Sequence, residues 1–179
     1  MERSFVCNYD DGTTEEYRLT GKEIAVMHFE GEVDITDPCY AKDVWCRLKV
    51  ALDAADYHCV AWEFEEGEWN TRVGIISLVR ADAKDDFFKE SDCFEIEELG
   101  EIGVDAGLAG FFMNKPDYSE TEWLSFCERF FGTRENPKDG NAWVYEYGFF
   151  SSTGYGDGMY PVFAYKDGAT VKALEILFL

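Results

Sequence analysis

The chain has 179 residues, of which 46% are hydrophobic and 17% aromatic, and its 37 Asp plus Glu outweigh 16 Lys plus Arg for a formal net charge of −21. That much aromatic material builds a packed core and excludes a disordered chain. The charge repels phosphate backbones and anionic lipid, which excludes direct binding to nucleic acid or to an acidic membrane surface.

A length of this order suits one domain over residues 1–179, with enough core to do without disulfide staples. Taken in chain order, Ser4–Tyr9 and Thr13–Leu19 flank Asp10-Asp11-Gly12 and predict a hairpin. Ile24–Phe29 is a short apolar run bounded by Gly21 and Gly31, and Glu32–Thr36 alternates before the turn signal Asp37-Pro38. Three longer strands are predicted next. Val44–Leu52 sets Val44, Cys46, Leu48 and Val50 on one face, Tyr57–Glu65 sets His58, Val60, Trp62 and Phe64 on one side, and Thr71–Arg80 is rich enough in Val and Ile to be buried. Ala81–Asp92 is charged without a clear period, an exposed connection pinned by Phe87 and Phe88. Phe94–Leu99 resumes the β pattern, and the glycine-punctuated stretch Gly100–Gly110 offers Ile102, Val104 and Leu108 to the core.

One helix stands out. Ser119-Glu120-Thr121-Glu122 is a capping box, Trp123, Leu124, Cys127, Phe130 and Phe131 form a helical stripe, and Gly132 is placed to end it. Beyond it Ala142–Phe150 reads as an aromatic strand, and Tyr160–Tyr165 and Thr170–Phe178 form a hairpin around Lys166-Asp167-Gly168-Ala169. The fold class expected is α+β, mainly antiparallel β-sheet with one clear amphipathic helix at about residues 119–131.

Little here is arranged for catalysis. The six cysteines, Cys7, Cys39, Cys46, Cys59, Cys93 and Cys127, include no C-x-x-C pair and read as free thiols. His28 and His58 both lie in strand-like runs with no orienting partner in sequence, and the hydrolase, zincin, phosphate-loop and dinucleotide signatures are all missing. Two aspartates are framed by glycine, Asp105 in Gly103-Val104-Asp105-Ala106-Gly107 and Asp157 in Gly154-Tyr155-Gly156-Asp157-Gly158. Glycine either lets a ligand approach the backbone or simply permits a turn of positive φ. Neither aspartate loop has the ligand series of a calcium-binding EF-hand. No metal and no cofactor is expected.

Asp37-Pro38, Val104-Asp105-Ala106-Gly107, and Gly154-Tyr155-Gly156-Asp157-Gly158 followed by Tyr160-Pro161-Val162 occur in the order seen in the bacterial domain-of-unknown-function family 4241. The chain resembles that family over roughly residues 32–178. The resemblance implies a compact β-rich fold and carries no activity or catalytic residues. The first hairpin and the helix Ser119–Phe131 have no counterpart in its pattern.

The charge sets the functional expectation. The chain is expected to be a non-catalytic acidic binding protein that inhibits a basic nucleic-acid-binding protein, for example a phage-type anti-CRISPR or other anti-defence protein whose carboxylates imitate phosphates. Glu63, Glu65, Glu66 and Glu68, or Asp82, Asp85, Asp86 and Glu90, are the candidate partner-binding carboxylates. The alternative is a small-ligand or cation-binding domain centred on Asp105 and Asp157, with a carboxylate-dependent hydrolase as its catalytic form; it requires the two aspartates to converge. Met1–Tyr9 lacks the apolar run and small-residue cleavage site of a signal peptide, and no stretch has the length of a membrane span, so a cytoplasmic location is expected.

Overall fold

Stretches of period two and stretches apolar on both faces can bury themselves only by pairing side by side. In a computed structural model, which describes residues 1–9, 11–67, 70–89 and 93–179, they do so as one antiparallel sheet. Its strands are β1 (Glu2–Asn8), β2 (Thr14–Thr36), β3 (Leu48–Glu65), β4 (Thr71–Arg80), β5 (Glu95–Val104), β6 (Leu108–Met113), β7 (Ala142–Tyr145), β8 (Gly148–Ser152), β9 (Gly158–Asp167) and β10 (Thr170–Leu177). The spatial order is β5-β9-β10-β4-β3-β2-β6-β8-β7, with β1 paired to β2. Among the described residues two helices are added, the short α1 (Lys84–Lys89) and α2 (Glu120–Phe131). The expected fold class is the observed one.

Ile102 and Val104 of β5, first in that order, share a buried cluster with Phe149 of β8, eighth in it. Seven spacings of about 4.8 Å would hold them roughly 34 Å apart in a flat sheet, so the sheet curls around its core. Phe29, Val33, Ile35, Tyr57 and Phe111 fill the middle. The Gly103 amide donates to the Cys46 carbonyl at 2.8 Å and ties β5 to the segment that leads into β3. On the opposite face Tyr17, Leu19, Val60, Trp62, Phe64 and Ile75 form a second cluster. Glu175 is buried beside it and fully paired, with Arg3 at 3.0 Å and the Tyr165 hydroxyl at 2.8 Å.

Several expected boundaries move. The runs at Ile24–Phe29 and Glu32–Thr36 belong to one 23-residue strand, and neither bounding glycine ends it. A Cβ on Gly21 would lie 2.7 Å from the Trp62 ring, so this glycine makes room for an indole; Gly31, at φ +73°, absorbs a shift in register. Val44–Arg47 is loop rather than strand, and Leu48–Leu52 and Tyr57–Glu65 run together as β3. From Cys59 to Trp62 β3 is buried on both faces: Tyr57, Cys59 and Ala61 face one cluster, and Val60, Trp62 and Phe64 the other. Within Ala81–Asp92 the chain winds into a 3-10 turn (Ala81–Ala83) and α1, with Phe87 buried as the pin. The single strand expected at Ala142–Phe150 is the hairpin β7–β8.

Helix α2 starts and stops where its capping box and Gly132 place it, the latter at φ +74°. Its buried residues are Phe126 and Phe130, with Trp123 and Cys127 packed beside them. Leu124 is 57% exposed. At 100° per residue it falls off the edge of the face centred on Phe126 and Phe130.

Two outcomes follow. Gly21→Ala is expected to destabilise the fold by about 1–3 kcal/mol, because the new methyl meets a fully packed ring, read as a lower urea midpoint at constant slope. Hydrogen bonds from the Ser119 hydroxyl and amide hold the Glu122 carboxyl below its ordinary value. Their contribution to α2 is therefore present above the ordinary carboxylate range and is lost as pH falls through the lowered value. In Ser119→Ala the Glu122 titration, followed by NMR, is expected to move up toward that of a free glutamate.

Candidate functional site

At the Asp37-Pro38 turn the chain leaves β2 and must hold a loop of eleven residues before β3 begins. Asp37 is fully buried and does the holding. One carboxylate oxygen accepts from the Cys39 amide at 2.8 Å, and the other from the amides of Asp105 at 2.9 Å and Ala106 at 2.7 Å. An aspartate bonding its own backbone two residues on is the usual Asx turn; the second oxygen extends that turn across space to the end of β5.

Asp105 and Asp157 meet at the same place. Val104 pairs with Gly158, so each aspartate is the first residue beyond the last pair of β5 and β9. Gly107 and Gly156, at φ +64° and +87°, make the turns behind them, and the Gly107 carbonyl accepts from the Thr153 amide at 2.9 Å. Both glycine-framed motifs are thus built as turns, with both carboxylates left exposed at one end of the sheet. Beside them opens a shallow cavity of about 660 Å³ lined by Tyr40, Asp43, Trp45, Cys46, Gly103 and Met159, among others. Burial first, then nearby acidic groups that include Asp37 and Asp105, pushes the Tyr40 phenol up to about 12.

The first acidic group adjoins this end. Glu63 and Glu65 share a groove of about 580 Å³ with Glu16, Tyr17, Arg18 and Thr20. Glu66 pairs with Arg72 and accepts from the Tyr155 hydroxyl at 3.2 Å, while Arg72 donates to the Gly154 carbonyl. The 153–157 loop therefore carries Tyr155 against Glu66 and Asp157 against the end of β5. The second group lies elsewhere. Asp82 and Asp85 follow Arg80, whereas Glu63–Glu66 adjoin Thr71, so β4 separates the two groups by its whole length, about 30 Å at ~3.3 Å per residue. Asp82 is also engaged by Arg80 and Lys172, and Asp85 by Lys89; Asp86 is exposed. Glu68 and Glu90 lie outside the described residues.

Sequence reasoning did not single out three neighbours of the site. Asp37 was legible only as a turn. Lys115 is buried, with its ammonium donating to the carbonyls of Tyr40 at 2.7 Å and Pro116 at 2.9 Å, which fastens the loop from below; burial pulls its pKa down. Trp45 is 85% exposed; the alternation of Val44–Leu52 sets it with Arg47 and Lys49, opposite Val44 and Cys46, but did not mark it as part of a site.

The chemistry of the other candidate groups is quiet. All six cysteines are free thiols. Burial foremost pushes Cys7, Cys39, Cys59 and Cys127 up, Cys59 to about 12, which keeps them protonated and poor nucleophiles. His58 and Cys59 are consecutive on β3 and face opposite sides; His58 bonds Glu23 at 2.9 Å and His28 bonds Asp56 at 3.0 Å. Among the described residues no three His, Cys, Asp or Glu are placed together to hold a metal ion, and no helix is long and apolar enough to cross a membrane.

No protein-family model, curated protein or solved structure matches the chain.

The different uses of the two aspartates give a paired test. Asp37→Ala strands three amides and is expected to lose about 2–4 kcal/mol. Asp105→Ala removes an exposed carboxylate while keeping the amide that Asp37 holds, and is expected to stay within about 0.5 kcal/mol of the parent. Chemical denaturation of both variants checks it.

Proposed function

We propose that the chain is a non-catalytic binding protein whose acidic end engages a basic protein. The observation that carries this reading is that the 153–157 loop joins two acidic groups: its Tyr155 meets Glu66, which continues from Glu63 and Glu65, and its own Asp157 stands with Asp105 at the end of β5 and β9. Such a concentration draws a basic surface at long range and fixes its orientation on contact. The raised thiols and the separation of His58 from Cys59 support a role in binding over nucleophilic chemistry.

A partner that itself holds nucleic acid has the required surface, because its groove is lined with Lys and Arg. In this reading the chain occupies such a groove and inhibits its owner, as an anti-CRISPR or other anti-defence protein does. A second reading is favoured by the adjacency of Asp105 and Asp157: a small ligand or cation bound at the end of β5 and β9.

The test is capture from host lysate at low salt followed by a rising salt gradient. The expected result is one basic protein that is released as salt rises and displaced by its own nucleic acid. In the variant Glu16→Gln/Glu63→Gln/Glu65→Gln the protein is expected to elute at lower salt. Retention indifferent to salt, or unchanged in that variant, contradicts the reading.

A further inference from the structure

Among the described residues Trp45 is the most exposed large hydrophobic side chain, at 85%, and Met159, 45% exposed, lines the same cavity. Tryptophan is highly buried on average, and a free indole leaves on the order of 150–250 Å² of mostly apolar surface in water. The exposure does not come from an untethered loop. The Val44 amide bonds the Ala41 carbonyl, the Cys46 carbonyl accepts from Gly103 at 2.8 Å, and Arg47 pairs with the nearly buried Asp34 at 3.3 Å. From beneath, Lys115 holds Tyr40 and Asp37 holds Cys39. The fold thus presents the indole outward on a backbone pinned at both sides, which is the preorganisation that makes a binding residue effective.

The charge decides what covers it. Asp43 lines the cavity with Trp45, and Asp105 and Asp157 stand at the end of the strand pair whose Gly103, Val104, Gly158 and Met159 line it too. An apolar centre rimmed by carboxylates is the arrangement of an interface with a buried anchor and a polar margin. A second copy of the chain would bring its own charge of −21 against this rim, and an anionic lipid surface is repelled in the same way. We propose that Trp45 is the anchor by which the chain docks on a basic protein: the indole enters an apolar pocket on the partner, and Lys or Arg side chains around that pocket meet Asp43, Asp105 and Asp157. This rests on the function proposed above and adds to it the residue that carries the affinity.

The experiment uses the full chain and, as probe, the basic protein that elutes in the salt gradient, purified and titrated by biolayer interferometry at several salt concentrations. Trp45→Ala is expected to keep the parent melting temperature and to weaken binding at least about thirtyfold, the scale of a hot-spot residue, with the salt dependence of Kd unchanged. Asp43→Asn/Asp105→Asn/Asp157→Asn is expected to flatten that salt dependence. Leu124→Ala, an exposed apolar residue on α2, is the control and binds like the parent. If Trp45→Ala binds like the parent while binding remains salt-dependent, the anchor is overturned and the acidic binding function stands. If the parent shows no salt-dependent partner, both fall. Sedimentation of the chain alone supplies the last arm: a dimer abolished by Trp45→Ala identifies a second copy as the occupant and overturns the proposal.

Discussion

A single buried carboxylate, that of Asp37, accepts hydrogen bonds from amides on two separate segments, Cys39 on its own loop and Asp105 with Ala106 beyond β5. Bonds to a charged acceptor are roughly twice as strong as neutral ones, and inside the protein they lose little to solvent screening. They bring the long loop between β2 and β3 to the end of the β5–β9 pair. What surrounds the site follows from that contact: Gly103 reaches Cys46, Lys115 closes the loop from below, and the 153–157 turn packs behind Gly107. The segments Asp37-Pro38, Val104–Gly107 and Gly154–Gly158 lie far apart in sequence and form one structural knot.

The negative charge is then carried outward in an ordered way. Where carboxylates serve the fold they are buried and paired, as Asp37 is by amides and Glu175 by Arg3 and Tyr165. Where they lie on α1 and the turn before it, basic neighbours engage Asp82 and Asp85. Around the 153–157 loop the opposite holds for Asp105 and Asp157, which stand exposed beside an outward-facing indole.

Much of the fold was legible from the residues. The capping box and Gly132 delimit α2, the Gly168 turn sets the β9–β10 hairpin, and β4 runs between the residues that its Val and Ile content indicates. The failures share a cause. Glycine punctuates a sequence in the same way whether it ends a strand, makes room for Trp62 as Gly21 does, or carries a shift of register as Gly31 does. In β3 the alternation of each half is readable, but nothing in the residues between them shows that the two runs join as one strand. The motifs around Asp105 and Asp157 do converge in the fold, and turn geometry accounts for their glycines. The meeting of those motifs with Glu66 and Trp45 depends on how a ten-stranded sheet curls, which no local pattern encodes.

The central claim is that the Trp45 end of the molecule is the surface that meets a basic partner. Hydrogen–deuterium exchange on the purified complex addresses it directly, by comparing amide protection of the chain alone and bound. The account predicts added protection centred on residues 40–47, 103–107 and 154–159 and reaching the Glu16, Glu63 and Glu65 groove, with α1 unchanged. Protection centred on α1 and its neighbouring turn, with residues 40–47 exchanging as in the free chain, would contradict it.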